Sequence, residues 1–64
     1  MFKFKMGDRV RIRGEQSDFT DHLDGQIGIV IAPKENDCLV KVEGHKPLLI
    51  WNYNMELVHE NSLR

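Results

Sequence analysis

Arg9, Arg11 and Arg13 occupy alternate positions near the N-terminus, with Lys3 and Lys5 ahead of them, so residues 1–13 carry five positive charges against Asp8 alone. Next-but-one residues on a strand lie about 6.5–7 Å apart on one face, which would set the three guanidinium groups in a row. Their planar forks fit phosphates and carboxylates alike. If all five cations met a nucleic-acid backbone, binding would weaken with salt at a slope of about −4.5. The plainer reading is a solvated strand face whose arginines pair with carboxylates on a neighbouring strand.

Two further groups could do chemistry. Asp18, Asp21 and Asp24 recur at three-residue spacing in an acidic stretch. A calcium site needs several converging oxygens, and this stretch has neither the glycine nor the terminal glutamate of an EF-hand loop, so no metal is expected. An acidic lip that meets a basic partner or imitates nucleic-acid charge fits the pattern, as does a solvated loop. Ile27, Ile29, Ile31, Leu39, Trp51 and Tyr53 form the third group. They are more apolar side chains than one inner face of so small a domain readily buries, and exposed Trp and Tyr are favoured interface anchors. The alternative is that the acidic loop and an N-terminal arm carrying Phe2 and Phe4 cover them.

Catalytic groupings are not apparent. His22, His45 and His59 are scattered, and no His–Cys or His–Asp spacing sets a nucleophile beside a base. Cys38 shares strand parity with Val40 and Val42, as a small buried hydrophobe would. No glycine loop of the phosphate-cradling kind is present. The expectation is a protein without enzymatic activity and without a cofactor.

The elements that must position these residues read as short strands. The chain has 64 residues, 9 Lys+Arg against 10 Asp+Glu, and a pI near 6.3. That is one small domain with a thin core, and it lacks the clear basic excess of a dedicated nucleic-acid binder. A single cysteine excludes an internal disulfide and suits a reducing, cytoplasmic setting. No apolar stretch approaches the roughly 20 residues of a membrane span. Residues 8–13 alternate strictly, with Val10 and Ile12 opposed to the arginines. Residues 15–24 form a long loop with at most one helical turn, anchored by Phe19 and Leu23. Residues 25–32 are apolar on both parities, Gly28, Val30 and Ala32 against the three isoleucines, and Gly28 signals a bulge or a close backbone crossing. Pro33 ends that strand. Residues 38–43, 48–51 and 55–58 complete five strands, with Asn52, Tyr53 and Asn54 as a tight turn in which asparagine tolerates left-handed angles.

Met6 to Ile12, Gly25 to Val30 and Val40 to Gly44, with Ile50, Trp51 and the closing Met55 to Val58, resemble the KOW-type SH3-like barrel across residues 6–58. The resemblance implies an all-β, five-stranded SH3-like barrel, to which this chain's own residues add a long loop between the first two strands, an arm at 1–5 and a polar tail at 59–64. KOW modules contact RNA, DNA or polymerase in ribosomal proteins and elongation factors. Here residues 15–24 are long and acidic where the family's first loop is short and commonly basic, and Asp24, Gly25 and Gln26 stand where Lys or Arg is frequent. The chain is also similar to small accessory proteins of bacteriophages and mobile elements.

The expectation is therefore a non-catalytic regulatory or accessory module, monomeric or weakly self-associating. It would bind a protein partner through Arg9, Arg11, Arg13, Lys3, Lys5, Trp51 and Tyr53, beside the acidic Asp18, Asp21 and Asp24. The alternative is an RNA- or DNA-binding domain acting with transcription or translation machinery through the same basic residues.

Overall fold

The computed structural model describes residues 2–14 and 21–58. Five strands, β1 (Arg9–Ile12), β2 (Ile27–Pro33), β3 (Asp37–Val42), β4 (Leu48–Trp51) and β5 (Met55–Leu57), form one antiparallel sheet in the order β4-β3-β2-β1-β5. β4 and β5 are its two ends, and among the described residues no ladder between them closes the sheet into a barrel. Single 3-10 turns at Asp21–Leu23 and Asn52–Asn54 precede β2 and β5, and no α-helix occurs among the described residues. The polar tail expected at 59–64 lies outside them.

Alternation decides β1. Val10 and Ile12 are fully buried while Arg9 and Arg11 within the strand and Arg13 just beyond it are exposed. The two parities of β2 separate just as cleanly. Gly28 and Val30 face inward, and the larger isoleucines face outward. The inward row packs with Cys38, Val40 and Val42 of β3, Ile50 of β4 and Met55 of β5, and Phe4 and Leu23 complete the core from outside the sheet. The arm thus contributes Phe4 to the inner face, and the long loop contributes Leu23. Phe19, the other expected anchor, lies outside the described residues.

Small size explains why the glycine row goes inside. A Cβ on Gly28 would stand 2.6 Å from a Val40 γ-methyl and 3.1 Å from a Val42 γ-methyl. The valine side chains of the paired strand thus fill the space that any larger residue would need, and among the described residues no strand crosses there. The bulge lies three residues further on: Val30 pairs with Val40 but Ala32 pairs with Leu39, so Ile31 is the extra residue.

Turns carry the left-handed backbone where Cβ-free residues supply it. Gly25, at φ 86°, lets the chain enter β2 while its N–H donates to the Ile12 carbonyl at 2.7 Å. Gly44, at φ 85°, starts the β3–β4 turn. Asn52 and Asn54 do not act this way: among the described residues, only glycines have positive φ. Both asparagines are buried. The Asn52 Oδ1 accepts the Cys38 thiol at 3.2 Å, its Nδ2 donates to the Glu35 carbonyl at 3.0 Å, and its backbone N–H donates to the Asn36 carbonyl at 2.9 Å. The side chain thereby ties the β2–β3 hairpin to the end of β4. Asn52→Ala strips a partner from the buried Cys38 thiol and from the part-buried Glu35 carbonyl, and the expected loss is about 1–3 kcal/mol. Equilibrium urea unfolding measures it, and an unchanged midpoint would show the network to be energetically idle.

Candidate interaction surface

The outer face of the sheet is built by what the core rejects. Ile27, Ile29 and Ile31 remain 39, 38 and 37% exposed. Register fixes their neighbours. Ile29 stands between Arg9 of β1 and Lys41 of β3, and Ile27 stands beside Arg11, which in turn faces Glu56 of β5. An open groove of ≈ 570 Å³ follows, lined by Arg9, Ile27, Ile29, Lys41, Glu43 and Gly44. An aliphatic floor with cations on both walls and a carboxylate at one end is suited to an apolar side chain that carries polar or acidic neighbours.

The arginines differ in what they are committed to. Arg13 donates to Glu56 across the sheet at 3.1 Å. This is the cross-strand pairing anticipated for such a row, and at this exposure it is worth at most about 1 kcal/mol. Lys41 bends its ammonium onto the carbonyls of Val42 and His45, which places this exposed side chain at the groove wall. Glu43 and Glu56 are interspersed on the same face, so the cations do not make an unbroken stripe.

Lys3 and Lys5 stand elsewhere. They line a separate depression of ≈ 280 Å³ with Phe2, Phe4, Asp8 and Leu57, which none of the three arginines lines. Lys5 is held in a tight turn in which its N–H donates to the Asp8 carboxylate at 3.0 Å and its carbonyl accepts the Asp8 N–H at 3.1 Å. The expected five-cation surface is thus divided between two places.

Trp51 and Tyr53 are 48 and 72% exposed and stacked, with ring centroids 5.8 Å apart at 16°. Trp51 shares the outward parity of Leu49, Leu39 and Asp37. It is three strands from β1, about 14 Å along the sheet, at the far corner from Arg11. The aromatic pair and the arginine row therefore share a face without forming one compact site.

Within the acidic stretch, Asp24 serves the fold. Its Oδ1 accepts the Gly14 N–H at 3.0 Å and closes the base of the long loop. Asp18 and the Asp21 side chain lie outside the described residues. Two histidines, scattered in sequence, converge in space: the His22 and His45 rings are 5.9 Å apart. Nothing in their spacing signals this, because the contact joins the loop before β2 to the β3–β4 turn. Among the described residues no three His, Cys, Asp or Glu side chains converge as metal ligands, and no helix is long and apolar enough to cross a membrane. Cys38 is a buried free thiol.

Comparison with protein families, with curated proteins and with solved structures finds no match to this chain.

Proposed function

We propose that this domain is a non-catalytic binding module that receives a protein partner on the outer face of β1, β2 and β3. The carrying observation is the isoleucine row. Among the described residues, ten apolar side chains fill the core on the other face, yet three β-branched side chains of β2 stay part-exposed on the outer one, with Ile29 between Arg9 and Lys41 and Ile27 beside Arg11. Isolated exposed apolar residues are ordinary, whereas a contiguous apolar strip rimmed by charge is what interaction sites present. Ile29 would be the central anchor, Ile27 its neighbour, and Arg9 and Arg11 the groups that orient an acidic or carbonyl-rich segment. Five short antiparallel strands and the long connection between the first two support the SH3-like, KOW-type reading of the fold. A buried reduced thiol supports action in the cytoplasm.

Nucleic acid is the second reading, favoured by the exposed Arg9 and Arg11 and by the stacked Trp51 and Tyr53, on which a base could stack. The interspersed carboxylates and the separation of Lys3 and Lys5 weigh against it. A gel-shift titration with mixed single- and double-stranded probes separates the two. The protein reading expects no shift at low salt. A shift that weakens steeply with salt and disappears in Arg11→Glu would replace it with the nucleic-acid reading.

A further inference from the structure

We infer that the outer edge of β4, which no strand pairs among the described residues, pairs with β4 of a second copy of this chain, joining two sheets into one of ten strands. The inference concerns a different surface from the isoleucine groove and stands or falls separately from it.

The two ends of the sheet are unequally protected. β5 is three residues long and carries Glu56, held by Arg13. Short length and charge are how native edges avoid pairing. β4 has the sequence Leu-Leu-Ile-Trp. It has no charge, proline or bulge of its own, and among the described elements only β3 packs substantially against it. Leu49 is 51% exposed beside Trp51. Alternate backbone amides and carbonyls on this edge face away from β3 and offer a template for a further strand.

Parity selects both the occupant and the register. A two-fold axis perpendicular to the sheet keeps both cores on one side and makes the pairing antiparallel. Residues opposite one another must then share a face, so the axis passes through a residue. Centred on Leu49, the register would set Trp51 against Pro47, which has no N–H to give. Centred on Ile50, it sets Ile50 against its own copy and Leu49 against Trp51 of the other copy, twice. These are aromatic–aliphatic cross-strand pairs on the outer face, of a kind that stabilises sheets. The strand complements itself and needs no second sequence.

Strands of four residues bury little. The interface falls at the small end of specific contacts, under about 1,200 Å², the size class of weak and transient encounters. Sedimentation equilibrium on the full chain from about 10 µM to about 1 mM tests this. The mass should rise from 7.5 kDa toward twice that value, and dilution should shift the amide resonances of residues 48–51. Leu49→Lys, a change at an exposed site, should hold the mass at the monomer value with its melting temperature unchanged. Ile29→Glu should self-associate like the wild type. A mass that stays at 7.5 kDa through about 1 mM overturns the inference, as does association that persists in Leu49→Lys. Loss of a captured protein partner in Leu49→Lys, with no self-association in the wild type, would assign the edge to a strand from another protein and would also overturn it.

Discussion

Gly28→Val should unfold this domain at ordinary temperatures, and Gly28→Ala should lower its melting temperature by roughly 5–20 °C. Too little space is left beside Gly28 where β2 pairs with β3. An added Cβ would meet a Val40 methyl at 2.6 Å, a Val42 methyl at 3.1 Å and the Lys41 carbonyl oxygen at 3.2 Å. Val40 and Val42 are buried, and a β-branched side chain has little freedom at χ1, so neither methyl can swing aside. Overpacking of this kind costs about 1–3 kcal/mol, and each kcal/mol shifts the midpoint of so small a domain by about 4–8 °C. The greater backbone freedom of glycine in the unfolded chain offsets only about 0.5–1 kcal/mol of that. Valine adds two further methyls and no compensation. The explanation is specific to one contact. Val40→Ala should therefore partly rescue Gly28→Ala, and a double-mutant cycle between them should show coupling of about 1 kcal/mol or more. Additive losses in calorimetry would mean that the strain lies elsewhere.

Ile29→Glu should do the opposite: leave the fold standing and remove the binding. Ile29 lies outside the core, and its strand neighbours in register are Arg9 and Lys41. A glutamate there would sit between two cations, and such opposite-charge cross-strand pairs contribute about 0.2–1 kcal/mol each. This compensates for much of the apolar packing that a half-exposed isoleucine supplies, so the unfolding midpoint should move little. Binding is different. A partner that covers the groove must strip water from that carboxylate, and a hot-spot position typically costs about 2 kcal/mol or more when disrupted. Affinity should fall by about 30-fold or more. A small fall in affinity with a large fall in stability would reverse these roles and place Ile29 among the structural residues.

Much of this architecture is legible in side-chain alternation. β1 declares itself because charge and β-branched residues alternate without exception from Arg9 to Arg13, and the structure buries and exposes them accordingly. β4 is legible to the residue, and Gly44 marks the turn before it. β2 is not decidable from its own residues, because both of its parities are apolar. Hydrophobicity alone points to the isoleucines as core, yet the inner space is set by Val40 and Val42 on the neighbouring strand, and only Gly28 fits against them. The asparagines on either side of Tyr53 look like backbone-tolerant turn residues, whereas Asn52 works through its side chain, bonded to groups 14 and 17 residues away. The site divides along the same line. That Arg9, Arg11 and Arg13 share a face is a property of one strand. That Lys3 and Lys5 leave that face, and that His22 meets His45, depends on how separate segments pack, and no local spacing carries that information.

The outer face of β1–β3 as a protein-binding surface is tested most directly by immobilising the wild-type domain and Ile29→Glu at equal density, capturing from lysate of the source cells, and titrating the retained protein into the isotope-labelled domain. The account predicts a defined protein held by the wild type and lost from the folded variant, with amide shifts centred on Arg9, Ile27, Ile29 and Lys41. Capture that Ile29→Glu leaves undiminished, or shifts confined to the depression between Lys3, Lys5 and Leu57, would contradict it.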